Sequence, residues 1–187
     1  MVIQDNLKLM TVDAFEALIA RPENAERRLE LIDGEIAEKM PTQKHAATVG
    51  IFQGEIYIHL KTYPIGWGMV EARYRMPADD HNARLPDVSF VIGRDRPLTQ
   101  KGSAPYMPDL AIEVKSPDDS FKAMRRKADY YLANGTRLVW LVHLEKRLVE
   151  VYRPDADVEI LTEDGILSGE DVLPGFSVPL RTVFAVP

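Results

Sequence analysis

Hydrophobic and polar positions follow two periods along the chain, and each period predicts one type of element. Apolar residues that recur at steps of three and four form one face of a helix, whereas alternation or a short apolar run indicates a strand. The helical period covers residues 11–20, 42–61 and 117–135. The strand patterns cover residues 68–76, 87–92, 109–115, 137–144 and 146–154.

Local signals mark where several of these elements begin and end. We expect Thr11 to cap the first helix and Asp118 or Asp119 to cap the third, because these side chains accept hydrogen bonds from free backbone N–H groups. Gly135 suits the position that follows the third helix. A further signal, the Asp-Gly pair at residues 33–34, predicts a tight turn and therefore a β-hairpin around it.

The order of the elements predicts one domain over residues 1–187. A helix and the hairpin of residues 28–40 come first, followed by a helix, several strands, a third helix and more strands. We expect residues 93–107 to form a loop and residues 172–180 to close the domain as loop and strand. This order is typical of an α/β (α+β) fold, in which helices flank a mixed β-sheet.

The strand predicted at residues 109–115 carries charge on one face. Side chains of a strand alternate between faces, so the aliphatic residues at even positions point one way. Glu113 and Lys115 share the opposite face, about 6–7 Å apart along the strand. An exposed strand with a weak surface ion pair is the competing interpretation of these two residues.

Two Pro-Asp pairs, at Asp87 and Asp109, are candidate partners for Glu113. Asp109 lies on the same strand, roughly 13 Å from Glu113 at the usual rise per residue. Ligands of one hard cation must bring their oxygens within about 2.0–2.6 Å of it, so a straight strand keeps Asp109 too far away. Asp87 opens a separate strand that a loop can return to the side of Glu113. We therefore group Asp87 with Glu113 and Lys115, and interpret Asp109 as a strand-entry residue.

This trio of side chains predicts metal-assisted hydrolysis. Two carboxylates, with waters, are the ligands that Mg²⁺ prefers in proteins, and Mn²⁺ is the alternative ion that we expect to support activity. The ion polarises a phosphoryl oxygen and activates a water, while the lysine orients that water or neutralises developing charge.

The ordered set of motifs resembles the PD-(D/E)xK nuclease superfamily, and in particular its bacterial Uma branch of restriction endonucleases. Asp87 followed by Glu113-Val114-Lys115 matches the superfamily's catalytic pattern. The matching segments extend over nearly the whole chain: LELIDGEI (29–36), LPDVSFV (85–91), PDLAIEVKSP (108–117), VWLV (139–142) and LPGF (173–176). The chain departs from the family in having His143-Leu144 where Asp-Pro often follows the VWLV strand.

The resemblance implies a role for each matching residue. Asp87 and Glu113 would bind the metal with the carbonyl of Val114 as a further ligand, and Lys115 would be the catalytic lysine. The remaining matches stand at positions near the family's site, with less defined roles: Glu30, His45 and Lys127. The resemblance also implies a restriction-endonuclease-like fold, DNA as substrate and a homodimer.

A basic cluster on the third predicted helix is a candidate surface for nucleic-acid backbone. It contains Lys122, Arg125 and Lys127, although a solvated helix face is an equally ordinary interpretation. The net charge of −6 argues against a strongly basic nucleic-acid binder but leaves room for a local basic groove.

The remaining composition narrows the class of protein. The chain has no cysteine, which excludes disulfides, thiolate zinc sites and a cysteine nucleophile. We find no signal-peptide pattern at the start and no apolar run of membrane-spanning length, so we expect a cytoplasmic protein without a membrane partner. The leading hypothesis is an Mg²⁺-dependent DNA endonuclease. The alternatives are a nucleic-acid-binding or assembly protein with little cleavage activity, and a metal-dependent hydrolase of another phosphoester.

Overall fold

The computed structural model describes residues 9–186, so the single-domain prediction for residues 1–187, and most of the N-terminal segment inspected for a signal peptide, extend outside the described range. The described helices are α1 (Val12–Ile19), α2 (Gln43–Thr62), α3 (Phe121–Ala133) and α4 (Leu180–Val183), with a short 3-10 turn at Pro22–Asn24. The strands of the first half are β1 (Leu29–Ile32), β2 (Glu35–Glu38), β3 (Gly66–Val70), β4 (Tyr74–Arg75), β5 (Ala83–Arg84) and β6 (Val88–Ile92). Those of the second half are β7 (Leu110–Val114), β8 (Leu138–His143), β9 (Leu148–Tyr152), β10 (Glu159–Thr162), β11 (Ile166–Ser168) and β12 (Ser177–Pro179).

A six-stranded mixed sheet forms the centre of the fold, with strand order β10-β9-β8-β7-β6-β3. Strands β7 and β8 are parallel, and their neighbours are antiparallel. A parallel pair requires a crossover connection, which here contains α3. Strand β8 is buried over its whole length, as expected for a central strand covered on both faces.

Two apolar layers cover the faces of this sheet. On one face, Phe52 and Ile56 of α2 pack against Ile112 and Trp140. On the other face, α3 packs against Ala111 of β7 and Val139 of β8 through Met124, Ala128 and Tyr131. The charged face of β7 is therefore the face covered by α3.

A second sheet, with order β2-β1-β5-β4, contains the hairpin. The predicted Asp-Gly turn joins β1 to β2, and both of its residues have positive φ, 52° at Asp33 and 80° at Gly34. Helix α1 packs on this sheet through Val12 and Phe15. The remaining two strands, β11 and β12, pair with each other in a small separate sheet.

The predicted mixed α+β architecture is confirmed, including the N-terminal helix, the hairpin and the α3 crossover. Thr11 caps α1 by accepting a hydrogen bond from Ala14 N. Gly135 follows α3 with φ of 100°.

Some predictions of element ends were wrong. The strand predicted at residues 68–76 is two strands, β3 and β4, because Glu71 has a φ of 51° that breaks the extended backbone between them. Ser120 caps α3 in place of Asp118 or Asp119, by accepting from Ala123 N. The carboxylate of Asp119 instead accepts from Ser116 N and stabilises the turn before the helix.

None of the helices between residues 9 and 186 combines the length and the apolar character that crossing a membrane requires.

Candidate active site

The register of β6 and β7 places Asp87 beside Glu113. Val88 pairs with Ile112 in this antiparallel ladder, so the next step of the register sets Asp87 opposite Glu113. Asp87 Oδ2 accepts a hydrogen bond of 2.7 Å from Val114 N, which fixes the carboxylate against the end of β7. Both carboxyl side chains are almost fully buried.

The ammonium group of Lys39 bridges these two carboxylates. Lys39 Nζ lies 2.8 Å from Asp87 Oδ1 and 3.0 Å from Glu113 Oε2. The lysine follows β2 directly, so the hairpin of the smaller sheet carries a cation to the end of the central sheet. Its side chain is 15% exposed, which makes this a nearly buried ion-pair bridge.

A second buried ion pair adjoins the first. Lys127 Nζ of α3 donates to Glu30 Oε1 of β1 at 2.5 Å and lies 3.7 Å from Glu113 Oε2. The other oxygen, Glu30 Oε2, is buried and has no hydrogen-bond partner among the described residues. Helix α3 and the hairpin thus meet at the charged end of β7.

His45 and Tyr131 complete the fixation of the carboxylates. His45 Nε2 lies 3.2 Å from Asp87 Oδ2, and Thr42 holds the histidine in the first turn of α2 by accepting from His45 N. Tyr131 Oη donates to Glu113 Oε1 at 2.8 Å. Each carboxylate therefore has one oxygen held by the surrounding framework and one oxygen that faces Lys39.

The pKa values within the cluster reflect burial opposed by these charges. Burial alone would raise the pKa of Asp87, but the Lys39 ammonium and the hydrogen bond with His45 outweigh it and hold that pKa below its ordinary range. Burial also dominates at Glu113 and raises the pKa of its carboxyl, although Lys127 and Lys39 oppose the rise. At Lys39, burial would lower the pKa, and the neighbouring carboxylates reverse this and raise it.

The cluster lies at a cavity of about 270 Å³ between the hairpin, α2 and α3. Three carboxylates, those of Glu30, Asp87 and Glu113, face two ammonium groups. The carboxylates of the cluster thus outnumber its ammonium groups by one. A buried cavity lined in this way favours a cationic ligand.

The donor atoms of this cluster match the preference of Mg²⁺, which binds through one or two carboxylates and waters. The unpartnered Glu30 Oε2 is a further oxygen acceptor at the same place. Within residues 9–186, however, no group of three or more Asp, Glu or His side chains is already arranged around a point that a metal ion would fill. The Lys39 ammonium lies between the two carboxylates, so they fit an ion once that ammonium moves.

The structure brings together five of the residues singled out in the sequence: Glu30, His45, Asp87, Glu113 and Lys127. It also places the backbone of Val114 at the cavity. Asp109 is separate, since its carboxylate accepts from Ile92 N at 2.8 Å, as suits a strand-entry residue.

Lys115 lies apart from the carboxylates. Its ammonium donates to Ser116 O at 3.0 Å and lies 5.4 Å from the centre of the Phe121 ring. Lys115 follows β7 directly, and its side chain extends toward the start of α3. The Lys115 ammonium thus lies near Ser116 and Phe121, and its catalytic role stays a prediction from the sequence.

The other two predicted contacts lie on the outer surface of α3. Arg125 forms a bidentate ion pair with Glu150, a buried carboxylate that also accepts from Tyr152 Oη. Lys122 is exposed to solvent. Neither residue lines the cavity.

Lys39 was missed in the sequence, although strand alternation contains a signal for it. Glu30 pairs with Ala37 across the hairpin, and Ala37 and Lys39 are two residues apart. Continuing the alternation past β2 therefore places Lys39 on the face of Glu30. The role of the Tyr131 hydroxyl was also missed, because a tyrosine on the apolar face of a helix gives no sign of its hydrogen-bond partner.

Comparison with known proteins relates this chain to proteins described as nucleases. Residues 12–182 match the model of the Uma2 family, described as "Putative restriction endonuclease". The chain is also similar to a solved structure titled as a putative nuclease belonging to DUF820, from Anabaena variabilis ATCC 29413. The two share 26% sequence identity with a TM-score of 0.79, over 94% of this chain and 98% of that one. No curated protein matches the chain.

Proposed function

The chain belongs to the Uma2 family, and from this premise we propose that it is a metal-dependent nuclease that hydrolyses phosphodiester bonds of DNA. The observation that carries the proposal is the pairing of Asp87 with Glu113 in the lining of a cavity that Glu30 also lines. The family description and the nuclease title of the similar structure support a nuclease in general terms. DNA as substrate and dependence on Mg²⁺ or Mn²⁺ are the specific parts of the proposal.

In this proposal Asp87 and Glu113 hold the ion, and the carbonyl of Val114 is a further ligand. A bound ion would supply Lewis-acid polarisation of a phosphoryl oxygen. The protein's own groups orient the carboxylates: Val114 N and His45 fix Asp87, and the Tyr131 hydroxyl fixes Glu113. Fixed ligands lower the reorganisation that the reaction requires.

We assign to Lys127 the cationic role that the sequence motif suggested for Lys115. Its ammonium lies 3.7 Å from Glu113 and is directed by Glu30. A lysine in this position would neutralise negative charge that develops on a phosphoryl oxygen. Glu30 then acts as a positioning residue, because it holds the Lys127 ammonium at the cavity.

Binding of nucleic acid without cleavage is a second candidate function. The observation that favours it is the Lys39 ammonium between Asp87 and Glu113, which offsets one of the two negative charges of the pair. The homodimer is a separate prediction from the family resemblance, and light scattering on the purified protein tests it.

A cleavage assay separates the two candidates. Supercoiled, linear double-stranded and single-stranded DNA are incubated with the protein in MgCl₂, MnCl₂ or EDTA. We expect cleavage with a divalent ion and none in EDTA. Glu113→Gln should lower the rate at least about 100-fold, as expected when a principal electrostatic group is removed.

Glu150→Gln is the matched control, since Glu150 is an equally buried carboxylate outside the cavity. It should retain cleavage at a temperature where both variants are folded. DNA binding by the wild type without cleavage of any of the three substrates would favour the second candidate function, nucleic-acid binding without cleavage. Equal losses of activity in both variants would show that the effect of Glu113→Gln is not specific to the cavity.

A further inference from the structure

We propose that Lys39 is a resident cation of the Asp87–Glu113 pair, which a divalent ion must displace, so that this lysine sets the metal affinity of the site. The inference rests on the proposed function, because it concerns the same two carboxylates. It goes beyond that function in assigning a competitor of the metal to a residue of the chain itself.

The hydrogen bonds of the carboxylates separate the oxygens that face Lys39 from those held by the framework. Asp87 Oδ2 is held by Val114 N and His45, and Glu113 Oε1 is held by Tyr131. The remaining oxygens, Asp87 Oδ1 and Glu113 Oε2, are the two that accept from Lys39 Nζ. Moving Lys39 would thus leave two oriented oxygens without disturbing the bonds that orient them.

The attachment of Lys39 permits such a movement. The residue lies beyond the end of β2, in the smaller sheet, while both carboxylates belong to the central sheet. Its ammonium is at the end of a flexible four-carbon chain, and the cavity of about 270 Å³ adjoins it. The ammonium and a divalent ion cannot occupy the same position, so binding of one excludes the other there.

Lys127 provides a matched comparison within the same cluster. It is also nearly buried, at 13% side-chain exposure against 15% for Lys39, and it also lies near Glu113. Its short contact, however, is with Glu30, and it makes no bridge between Asp87 and Glu113. Removing either lysine makes the cavity more negative by one charge, but only removal of Lys39 clears the position between the two carboxylates.

The test is calorimetric titration of the metal-free protein with MnCl₂ at fixed pH, without DNA. We expect Lys39→Met to bind Mn²⁺ at least about tenfold more tightly than the wild type. Lys127→Met measures the effect of charge alone and should tighten binding clearly less. In thermal unfolding with EDTA, the Tm of Lys39→Met should be lower than that of the wild type. Adding MnCl₂ should raise the Tm of Lys39→Met by more than it raises the Tm of the wild type.

Lys39→Gln is included because it retains a hydrogen-bond donor where Lys39→Met has none. It too should bind Mn²⁺ more tightly than the wild type. Equal Mn²⁺ affinities of the wild type and Lys39→Met would overturn this inference. A gain in Mn²⁺ affinity in Lys127→Met as large as that in Lys39→Met would also overturn it. Neither result would reject the metal site itself. Absence of Mn²⁺ binding in every protein would reject the proposed metal site as well. Failure of both Lys39 variants to fold even in saturating MnCl₂ would also overturn the inference, because the ion should replace the lysine.

Discussion

Replacing Lys127 by methionine leaves the Glu30 carboxylate buried without its ion-pair partner. The Glu30 side chain is 2% exposed, and its Oε1 accepts a 2.5 Å hydrogen bond from Lys127 Nζ. Removing one partner of a buried pair costs about 3–5 kcal/mol, because the remaining charge stays desolvated. We expect about 3 kcal/mol here, at the lower end of that range, because Lys39 still faces the same cluster.

Urea unfolding followed by circular dichroism measures this loss in the free energy of unfolding. For a domain of this size, about 3 kcal/mol corresponds to a fall of roughly 6–12 °C in Tm, which calorimetry tests independently. Lys122→Met is the control, since it makes the same change at an exposed position of the same helix and should alter stability by less than about 0.5 kcal/mol.

A double-mutant cycle with Glu30→Gln isolates the pair. The double variant should be more stable than the sum of the two single losses by about 1 kcal/mol or more, because each single change leaves a charge unpaired. A loss below about 1 kcal/mol for Lys127→Met would contradict the reasoning. So small a loss would mean that the Lys127–Glu30 ion pair contributes no more to stability than an exposed ion pair on the protein surface.

Three further changes test other contacts. Tyr131→Phe removes the donor to Glu113 Oε1 and should cost about 1–3 kcal/mol in urea unfolding; a cost near zero would show that this hydrogen bond does not matter for stability. At Glu150, burial raises the pKa but hydrogen bonds from Arg125 and a neighbouring tyrosine outweigh it, so the folded pKa lies below the unfolded value. Its contribution is thus complete above the unfolded pKa of about 4.3 and is lost as the pH falls, and Glu150→Gln should weaken the acid dependence of stability below about pH 5. Gly135→Ala should lower the free energy of unfolding by about 1–2 kcal/mol, because a φ of 100° is unfavourable for a residue with a side chain. The added methyl would clash with nothing within 4 Å, so the loss measures backbone strain alone. An unchanged stability would show that the backbone there relaxes freely.

The long elements could be predicted from sequence because they contain enough residues for a period to appear. Helix α3 spans several turns of its apolar stripe, and β8 could be recognised as a continuous apolar run, which is buried throughout. Strands β4 and β5 have two residues each, which is too few for any period, and their pairing depends on distant parts of the chain. The break at Glu71 has no sequence signal, since glutamate seldom adopts a positive φ.

Strand geometry was sufficient to group Asp87 with Glu113 in preference to Asp109. That argument used only the rise per residue, which holds wherever the backbone is extended. Strand geometry alone does not show that the side chain of Lys115 extends to Ser116 and Phe121 at the start of α3. His45 and Lys127 were singled out through family resemblance and the pattern of charges, since nothing local to α2 or α3 reveals that these helices converge on one carboxylate pair.

We propose that Asp87, and not Asp109 of the second Pro-Asp pair, forms a metal-dependent nuclease site with Glu113. The most direct measurement is the rate of DNA cleavage in MnCl₂ by Asp87→Asn and by Asp109→Asn, each compared with the wild type at a temperature where all three are folded. The account predicts that Asp87→Asn loses cleavage while Asp109→Asn, which retains an acceptor for Ile92 N, cleaves at nearly the wild-type rate. Cleavage by Asp87→Asn at the wild-type rate, or loss of cleavage in Asp109→Asn alone, would contradict it.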